Sequence, residues 1–526
     1  MGATTPAGVA EAGAGAERAA PGARSSRFER IGLVLLTLAL VPLAFKAPAA
    51  FDFTRSILGY PFQVDDSEGV ILSEAQWLAR GVDPYQPARP DFFTAAPYTP
   101  LFTMMNAAAF VAGPFTFKIG RGLALLATLA LGLGVAALVR RRTANPLIPL
   151  WAALAILTMN LVSVWSVRAR PDHLALAFNL AGLAIVWRLR PGERGWAPLE
   201  RREWRGIGAA AALFALGFFT KQTTLAAPLA AGLYLLLRRP HLGLGFGFLY
   251  AVLTLGPFLL LDLLTRGGFY QHIVAFHRSW SAADFLRLWR PFAARYWPLL
   301  LPPVALTLAV LAEAIRDRSR RDPDLLPAIY GLVALVAGLA AGTHGGNHNH
   351  FVEGLIAAVC CAALLAGRLA SSRPAGPLVA GALLLALSGA LAGESRLGGE
   401  NWLARDFRTP RPHERAGLAQ VAAFVTNDPG PVWSDNVGLL LVAGKEVRYT
   451  DPFSLAYAAR TGQWDQSALV GRVERGEFSL IALRADLFAP ATAGGPPTDL
   501  TPELYRAIRA RYRVVERNVI YLYAPR

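Results

Sequence analysis

Long apolar runs recur along the chain and leave room between them mainly for short polar loops. They begin near residues 31, 98, 119, 147, 173, 206, 223, 242, 298, 326, 351 and 377 of a 526-residue sequence. A helix of about 20 apolar residues crosses the hydrocarbon core of a bilayer, and most of these runs approach that length. Charged residues make up only 17% of the chain, whereas soluble domains average about a quarter. The pattern predicts a mainly α, polytopic membrane helical bundle.

Arginine clusters set the expected orientation of this bundle. They lie between apolar runs, at residues 140–142, 188–205, 238–239, 316–321 and 368–373. Basic residues in short loops favour the cytoplasmic side of the membrane. Topology therefore explains the formal net charge of +16 better than nucleic-acid binding does. The N-terminus is then cytoplasmic, and residues 51–118 form an external loop with interfacial helices.

The same orientation fixes the number of crossings. With the arginine clusters inside, the run at 98–115 begins and ends outside, so we expect an interfacial or re-entrant helix there. About eleven spans remain, and the C-terminus is external. Three segments follow: a disordered cytoplasmic tail at 1–30, a transmembrane domain at 31–395 and a small external α/β domain at 396–526. In that last domain, periodicity predicts helices at 413–428 and 501–512, strands at 430–435 and 478–483, and a strand or hairpin at 513–526.

Three acids follow the first apolar run. Asp65, Asp66 and Glu68 precede a segment at 69–81 whose pattern predicts a short interfacial helix. A helix N-terminus favours negative charge, and a partly desolvated carboxylate can act as a general base or hold a cation. Solvated acids of an exposed loop are the alternative.

Isolated cations stand at the ends of two later apolar runs. The stretch "RARPDH" supplies Arg168, Arg170 and Asp172, and "TKQT" supplies Lys221 and Gln222. Cations at headgroup depth suit a lipid phosphate or a sugar. An Arg–Asp pair that caps a span, and a lysine that snorkels to the interface, are the structural alternatives.

A histidine-rich turn precedes the run at 351. In "GTHGGNHNHF", His344, Asn347, His348 and His350 stand close together. The histidine spacing would suit zinc, but no paired cysteines and no H-E-x-x-H motif accompany it. Contacts to a sugar or phosphate, or a plain polar turn, are the other interpretations. We expect no cofactor, and a divalent cation remains an open alternative.

Together these motifs resemble the polytopic glycosyltransferases of the GT-C fold, in particular the bacterial protein-mannosyltransferase-like and aminoarabinose-transferase-like branch. The resemblance covers about residues 30–395 and rests on the acidic motif, "GVDPY", "PYTPLF", "RPD", "TKQT" and "GNHNHFVE". It implies transfer of a sugar, with inversion, from a polyprenyl-phosphate carrier to a hydroxyl or amine on the external face of the plasma membrane. The acceptor would be a glycan, a lipid or a protein.

The resemblance also implies roles for individual residues. A first-loop acid is the expected catalytic residue, so Asp66 and Glu68 are the candidates. The usual Asp-Glu-Gly is altered here: Glu68-Gly69 match, Ser67 replaces the Asp, and counting back from Gly81 selects Asp66, which we favour. The other polar residues are the expected substrate contacts: Asp65, Arg168, Arg170, Asp172, Lys221, Gln222, His344, Asn347, His348 and His350.

Two other functional classes fit parts of the pattern. A transporter or glycolipid flippase would use charges inside the spans and broken spans in corresponding halves of the chain. The charges here gather at one face instead, and no internal duplication is visible. An inactive scaffold whose external domain binds a partner is the third reading.

Overall fold

The computed structural model describes residues 21–189, 201–277, 279–317, 322–395, 407–489 and 500–526. Most of the tail expected to be disordered, and the inner parts of the arginine clusters at 188–205 and 316–321, lie outside the described residues. The rest is predominantly helical, as the apolar runs predict.

The helices of the membrane part follow one another with short connections. In chain order they are α1 (Pro21–Leu58), α2 (Asp66–Ala79), α3 (Leu101–Ala112), α4 (Phe117–Arg140), α5 (Leu147–Thr158), α6 (Asn160–Ser166), α7 (Asp172–Leu189), α8 (Arg201–Thr220), α9 (Ala226–Arg238), α10 (Pro240–Leu264), α11 (Gly268–Ile273), α12 (Ala282–Arg316), α13 (Leu325–Ala337), α14 (Val352–Ser372) and α15 (Gly376–Ala392). Short 3₁₀ turns lie at Ala275–His277, Gly338–Gly342, His348–Phe351 and Gly393–Ser395.

Seven helices of the described chain are long and apolar enough to cross a membrane, and the bent pair α5 and α6 would be an eighth crossing. The chain is therefore a multi-pass membrane protein. The remaining three of the eleven expected spans fall on α8, α9 and α15, which are shorter or more polar. The run at 98–115 forms the 12-residue α3, and because α9 has a similar length of 13 residues, an interfacial or re-entrant helix at 98–115 stays a prediction.

The bundle is arranged around α14. In its most apolar stretch 89% of the residues are buried, against 11% in α10, so α14 is central and α10 faces outward. A bend of 61° separates α5 from α6. Because α6 ends at Ser166, this bend helps to position the turn at 167–171 that carries two of the candidate cations.

The C-terminal domain contains a small mixed sheet. Its helices are α16 (Pro412–Asn427), α17 (Val437–Val442), α18 (Pro452–Arg460), α19 (Ser467–Glu474) and α20 (Pro502–Arg511), and its strands are β1 (Val432–Ser434), β2 (Leu480–Leu483), β3 (Tyr512–Arg517) and β4 (Tyr521–Pro525). The strand order is β1-β2-β4-β3, with β1 parallel to β2 and the other pairs antiparallel. All the elements expected from periodicity are present. The sequence pattern missed α17, α18 and α19.

The C-terminal domain packs directly on the loop that follows α1. Helix α2 lies against α17 so closely that a Cβ at Gly69 would come within 2.5 Å of the backbone nitrogen of Gly438. Phe93 also pairs with Tyr449 in a short parallel bridge. The acids at the start of α2 therefore lie between the membrane bundle and the C-terminal domain.

Candidate functional site

Asp65 caps the N-terminus of α2 and is bound by two arginines. Its carboxylate accepts a hydrogen bond from the backbone N–H of Ser67 at 3.1 Å. The Nη1 atoms of Arg168 and Arg170 lie 3.1 Å and 2.9 Å from its two oxygens. The ring of Trp165 lies beneath both guanidinium groups, 4.4 Å and 4.8 Å from their carbons. The loop at 167–171 is thus fastened to the start of α2.

Arg170 connects this carboxylate to the next one. It donates to the Ser67 hydroxyl at 2.6 Å and to Asp172 at 3.3 Å, and it also contacts the hydroxyl of Tyr98. Asp172, the first residue of α7, is 2.5 Å from Lys221 Nζ and accepts from Asn349 Nδ2 at 2.6 Å. One continuous set of contacts therefore joins the ends of α2, α7, α8 and α14.

We call Asp65, Arg168, Arg170, Asp172, Lys221 and Asn349 the cation network. It holds three cations and two carboxylates, and all of these side chains are largely buried. A buried network with one more cation than anion is electrostatically suited to an additional negative group. The network brings together residues of the acidic loop, "RPD", "TKQT" and "GNHNH". The sequence predicts that these stretches lie on the same side of the membrane, which would allow such contacts.

Burial and neighbouring charges act in opposite directions on these groups. Burial alone would raise the pKa of Asp65, but the adjacent guanidinium groups of Arg170 and Arg168 lower it below its ordinary value. Burial lowers the pKa of Lys221, and the carboxylate of Asp172 offsets only part of that effect. Burial would also lower the pKa of Arg170, yet Tyr98 and Asp65 beside it raise the pKa instead. Arg170 is therefore a permanent cation and Asp65 an ionised carboxylate.

The segment that presents Tyr98 is strained and held at several points. Ala96 has a φ of 29°, in the region that favours glycine. The carbonyl of Pro97 accepts from Gln222 at 2.8 Å, and the carbonyl of Tyr98 accepts from the Tyr85 hydroxyl at 2.6 Å. Strained backbone of this kind persists where surrounding contacts over-determine it, and such places are often functional. Gln222 thus acts on the network through the position of Tyr98.

The three acids of the motif have three different environments. Glu68 is fully buried, and its oxygens accept from Arg121 at 2.8 Å and 2.8 Å and from the backbone N–H groups of Val64 and Ala169. Asp66 is 61% exposed and forms a two-point ion pair with Arg484 of the C-terminal domain, at 2.7 Å and 2.8 Å. Asp65 is the acid that belongs to the cation network.

The histidine-rich turn is divided between two environments. A small cavity beside Lys221 is lined by His350 together with Asp172, Asn349 and Glu353. His344 instead stacks on Phe453 and Tyr457 of α18, with ring centroids 4.6 Å and 3.8 Å apart. Burial lowers the pKa of His344.

Asn347 and His348 contact each other within this turn. Asn347 caps the turn at His348–Phe351, where its side chain accepts from the His348 N–H at 2.7 Å. Among the described residues, no group of three or more His, Cys, Asp or Glu side chains is arranged to hold a metal ion.

A cleft of about 540 Å³ opens next to the cation network, between the bundle and the C-terminal domain. Arg168 belongs to both the cleft and the network. Arg408 and Arg484 face it from the C-terminal domain, and Phe53, Ile57 and Tyr60 face it from the end of α1. The cleft therefore combines an apolar wall with several guanidinium groups.

Several residues of this region were missed in the sequence. Tyr98, Asn349 and Ser67 lie inside the motifs quoted above but are not among the expected substrate contacts, and nothing in its local sequence distinguishes Arg484. Arg121 did carry a signal, because a charge inside the apolar run of α4 is costly unless it is paired. Its partner, Glu68, is 53 residues away in the sequence.

The helical bundle and its small C-terminal sheet form a polytopic GT-C-like fold. The chain is similar to the crystal structure of ArnT from Cupriavidus metallidurans in the apo state, with a TM-score of 0.56, 15% identity and coverage of 91% of this chain and 97% of that one. It is also similar to the same protein bound to undecaprenyl phosphate, with a TM-score of 0.54, 14% identity and coverage of 96% and 98%. No family model and no curated protein matches the sequence. At this identity the similarity establishes the fold.

Proposed function

We propose that this protein is a membrane glycosyltransferase that moves a sugar from a polyprenyl-phosphate donor to an acceptor hydroxyl or amine. The observation that carries the proposal is the cation network, which is buried, has an excess cation and opens beside a cleft between the bundle and the C-terminal domain. The fold supports it, since the similar ArnT structure contains undecaprenyl phosphate.

In this proposal the donor phosphate binds at Arg170 and Lys221. Both cations now contact carboxylates, and a phosphate oxygen would share their N–H groups with Asp172. As the bond between the sugar and the phosphate breaks, negative charge develops on the leaving phosphate. Fixed cations at that position stabilise the charge without reorganisation. Because the reaction uses the cations of the chain itself, it requires no organic cofactor.

Asp65 is the best-placed proton acceptor. Its carboxylate lies between Arg168, which lines the cleft, and Arg170, which belongs to the proposed phosphate site. An acceptor held in the cleft would pass its proton to Asp65 while its oxygen or nitrogen attacks the anomeric carbon. The lipid phosphate then leaves from the opposite side, with inversion.

This assignment differs from the sequence preference for Asp66. In the structure Asp66 is exposed and paired with Arg484, and Glu68 is fully buried against Arg121, whereas Asp65 contacts Arg168 at the edge of the cleft. We therefore propose that Glu68 fixes the start of α2 against α4. Asp66 helps to dock the C-terminal domain.

We further propose that the network and the C-terminal domain lie on the external face of the plasma membrane. The arginine pattern supports this orientation. A cysteine introduced at Thr343 should react with an impermeant thiol reagent in sealed cells, and one at Arg141 should not. Labelling of the Arg141 site alone would reverse the orientation.

The direct test is to incubate purified protein with polyprenyl-phosphate sugars labelled in the sugar. A glycosyltransferase releases the label from the lipid, and the release depends on the acceptor. If labelled lipid is instead moved intact between the leaflets of proteoliposomes, the protein is a flippase and the proposal is wrong. If the protein binds the labelled lipid but neither transfers its sugar nor moves it between leaflets, an inactive scaffold is favoured.

A further inference from the structure

Glu74 is buried without any hydrogen-bond donor. It lies in the third turn of α2 with none of its surface exposed. Neither of its carboxylate oxygens has a hydrogen-bond partner among the described residues. An isolated carboxylate in a protein interior is costly, and buried polar groups are nearly always paired.

Two other buried hydroxyl groups lie on segments that pack against this part of α2 or pair with its neighbour. One turn after Glu74, the ring of Trp77 contacts Phe92 at 4.9 Å. The next residue, Phe93, pairs with the C-terminal domain, where its carbonyl accepts from the N–H of Thr450 at 2.9 Å. This pairing sets Thr94 beside Thr450. Both hydroxyl groups are fully buried and have no hydrogen-bond partner in the described part of the chain.

The residue after Thr450 is Asp451, which carries a second carboxylate. Asp451 adopts a φ of 44°, which is unfavourable for a residue other than glycine. Its side chain caps α18 by accepting from the Ser454 N–H at 3.2 Å. Its charge also reaches Glu74: burial raises the pKa of Glu74 well above its ordinary value, and Asp451 raises it further. A fully buried acid thus lies near a second acid whose charge repels its own.

We propose that Glu74 and Asp451, with the hydroxyl groups of Thr94 and Thr450, hold a divalent cation. All four donors are hard oxygen ligands, which Ca²⁺ and Mg²⁺ prefer, and two carboxylates balance the charge of one such ion. The flexible coordination of Ca²⁺ suits this mixture better than the strict octahedron of Mg²⁺. The site has fewer than three carboxylates, so water or backbone carbonyl groups complete the shell.

The cation would join two parts of the chain. Glu74 belongs to α2, whose N-terminus carries Asp65, whereas Thr450 and Asp451 belong to the C-terminal domain. The ion therefore fixes this domain against the external loop. The inference stands independently of the proposed transfer reaction, because it concerns a structural ion and its test needs no substrate.

The test is the thermal stability of the full-length protein in detergent after treatment with EDTA. A ligand that binds only the folded state stabilises it by mass action. We expect millimolar CaCl₂ to raise the unfolding temperature of the wild type saturably, and MgCl₂ to raise it less. The increase should disappear in Glu74→Gln and in Asp451→Asn. It should persist in Asp91→Asn, a matched control at an exposed acid of the same external loop.

Two results would overturn the proposal. The first is an unfolding temperature that responds to neither EDTA nor CaCl₂, with Glu74→Gln at least as stable as the wild type, as a neutral buried acid predicts. The second is a calcium response that survives in Glu74→Gln. If that variant does not fold, Thr450→Val and the calcium content of the purified wild type decide instead, with about one ion per chain expected for a closed site.

Discussion

Ion pairs occur at both ends of this helical bundle, and the two groups differ in their numbers of acidic and basic side chains. At the end opposite the cation network, Arg368 contacts Glu313 at 2.6 Å, Asp322 at 2.8 Å and Asp324 at 2.9 Å, and Arg142 contacts Asp324 at 2.9 Å. We call these five residues the basal network. It contains more acids than cations, whereas the cation network contains more cations than acids.

The difference separates a structural charge cluster from a candidate site. Each guanidinium of the basal network is matched by carboxylates, and the cluster ties α4, α12, α13 and α14 together. The six named side chains of the cation network carry three positive and two negative formal charges, and they lie beside a cleft that is open to a ligand. Cations next to a cleft are what a phosphate ligand needs, whereas a network with more acids than cations repels a phosphate and serves packing.

The largest expected effect is at Asp65. Asp65→Asn keeps the size and the hydrogen bond to Ser67 but removes basicity, so turnover should fall by about 100-fold or more. Asp66→Asn, the matched change one residue later, should cost only a few-fold. Turnover with saturating donor measures both. If the two results are exchanged, Asp66 is the base, as the sequence motif suggested.

The next largest effect on kinetics is expected for two cations of the cation network. Lys221→Ala and Arg170→Ala should raise the Michaelis constant for the lipid-phosphate donor and lower turnover, by about ten- to a hundredfold, because a charge-assisted contact to phosphate is lost. Steady-state kinetics with varied donor would show this. Unchanged kinetics in a folded variant would return both residues to structural roles.

A substitution in the basal network should lower the stability of the protein and leave its kinetics nearly unchanged. Arg368→Gln removes a guanidinium that contacts three carboxylates, of which Asp324 keeps Arg142, so the free energy of unfolding should fall by about 3 kcal/mol. The donor Michaelis constant of the folded fraction should stay within about threefold of wild type, since less than 1 kcal/mol of donor binding is at stake. Denaturant unfolding and kinetics on the same sample would separate these effects, and a large kinetic defect would contradict the comparison.

The smallest effect is expected at the domain contact. Arg484 and Asp66 are 39% and 61% exposed, and exposed ion pairs contribute less than about 1 kcal/mol. Arg484→Ala should therefore change turnover by less than about fivefold. A loss as large as that of Asp65→Asn would show that Arg484 contacts the substrate.

The sequence predicts the fold better than it predicts the site. Apolar runs and arginine clusters identify a polytopic bundle, and turn and strand patterns identify most of the C-terminal domain, because these signals are local. The expected helix at 69–81 is also present within α2.

Local sequence does not show which of the three neighbouring acids has which partner. Residues 65, 66 and 68 leave the start of α2 in different directions, and each meets a partner that is far away in the chain. Arg170, Arg484 and Arg121 are separated from them by 105, 418 and 53 residues. No periodicity encodes such pairings, so the motif could be found from the sequence, whereas the acid that we propose as the base could not. For the same reason Glu74 attracted no notice in the sequence as a candidate ligand.

The central claim is that the surplus positive charge of the cation network binds a lipid phosphate. It is tested most directly by the dissociation constant for undecaprenyl phosphate, measured without any sugar transfer in the wild type, Lys221→Ala and Arg368→Ala. The account predicts that Lys221→Ala weakens binding by about ten- to a hundredfold, and that Arg368→Ala, which removes the same charge at the other end of the bundle, leaves it unchanged. Equal affinities in all three proteins, or equal losses in both variants, would contradict it.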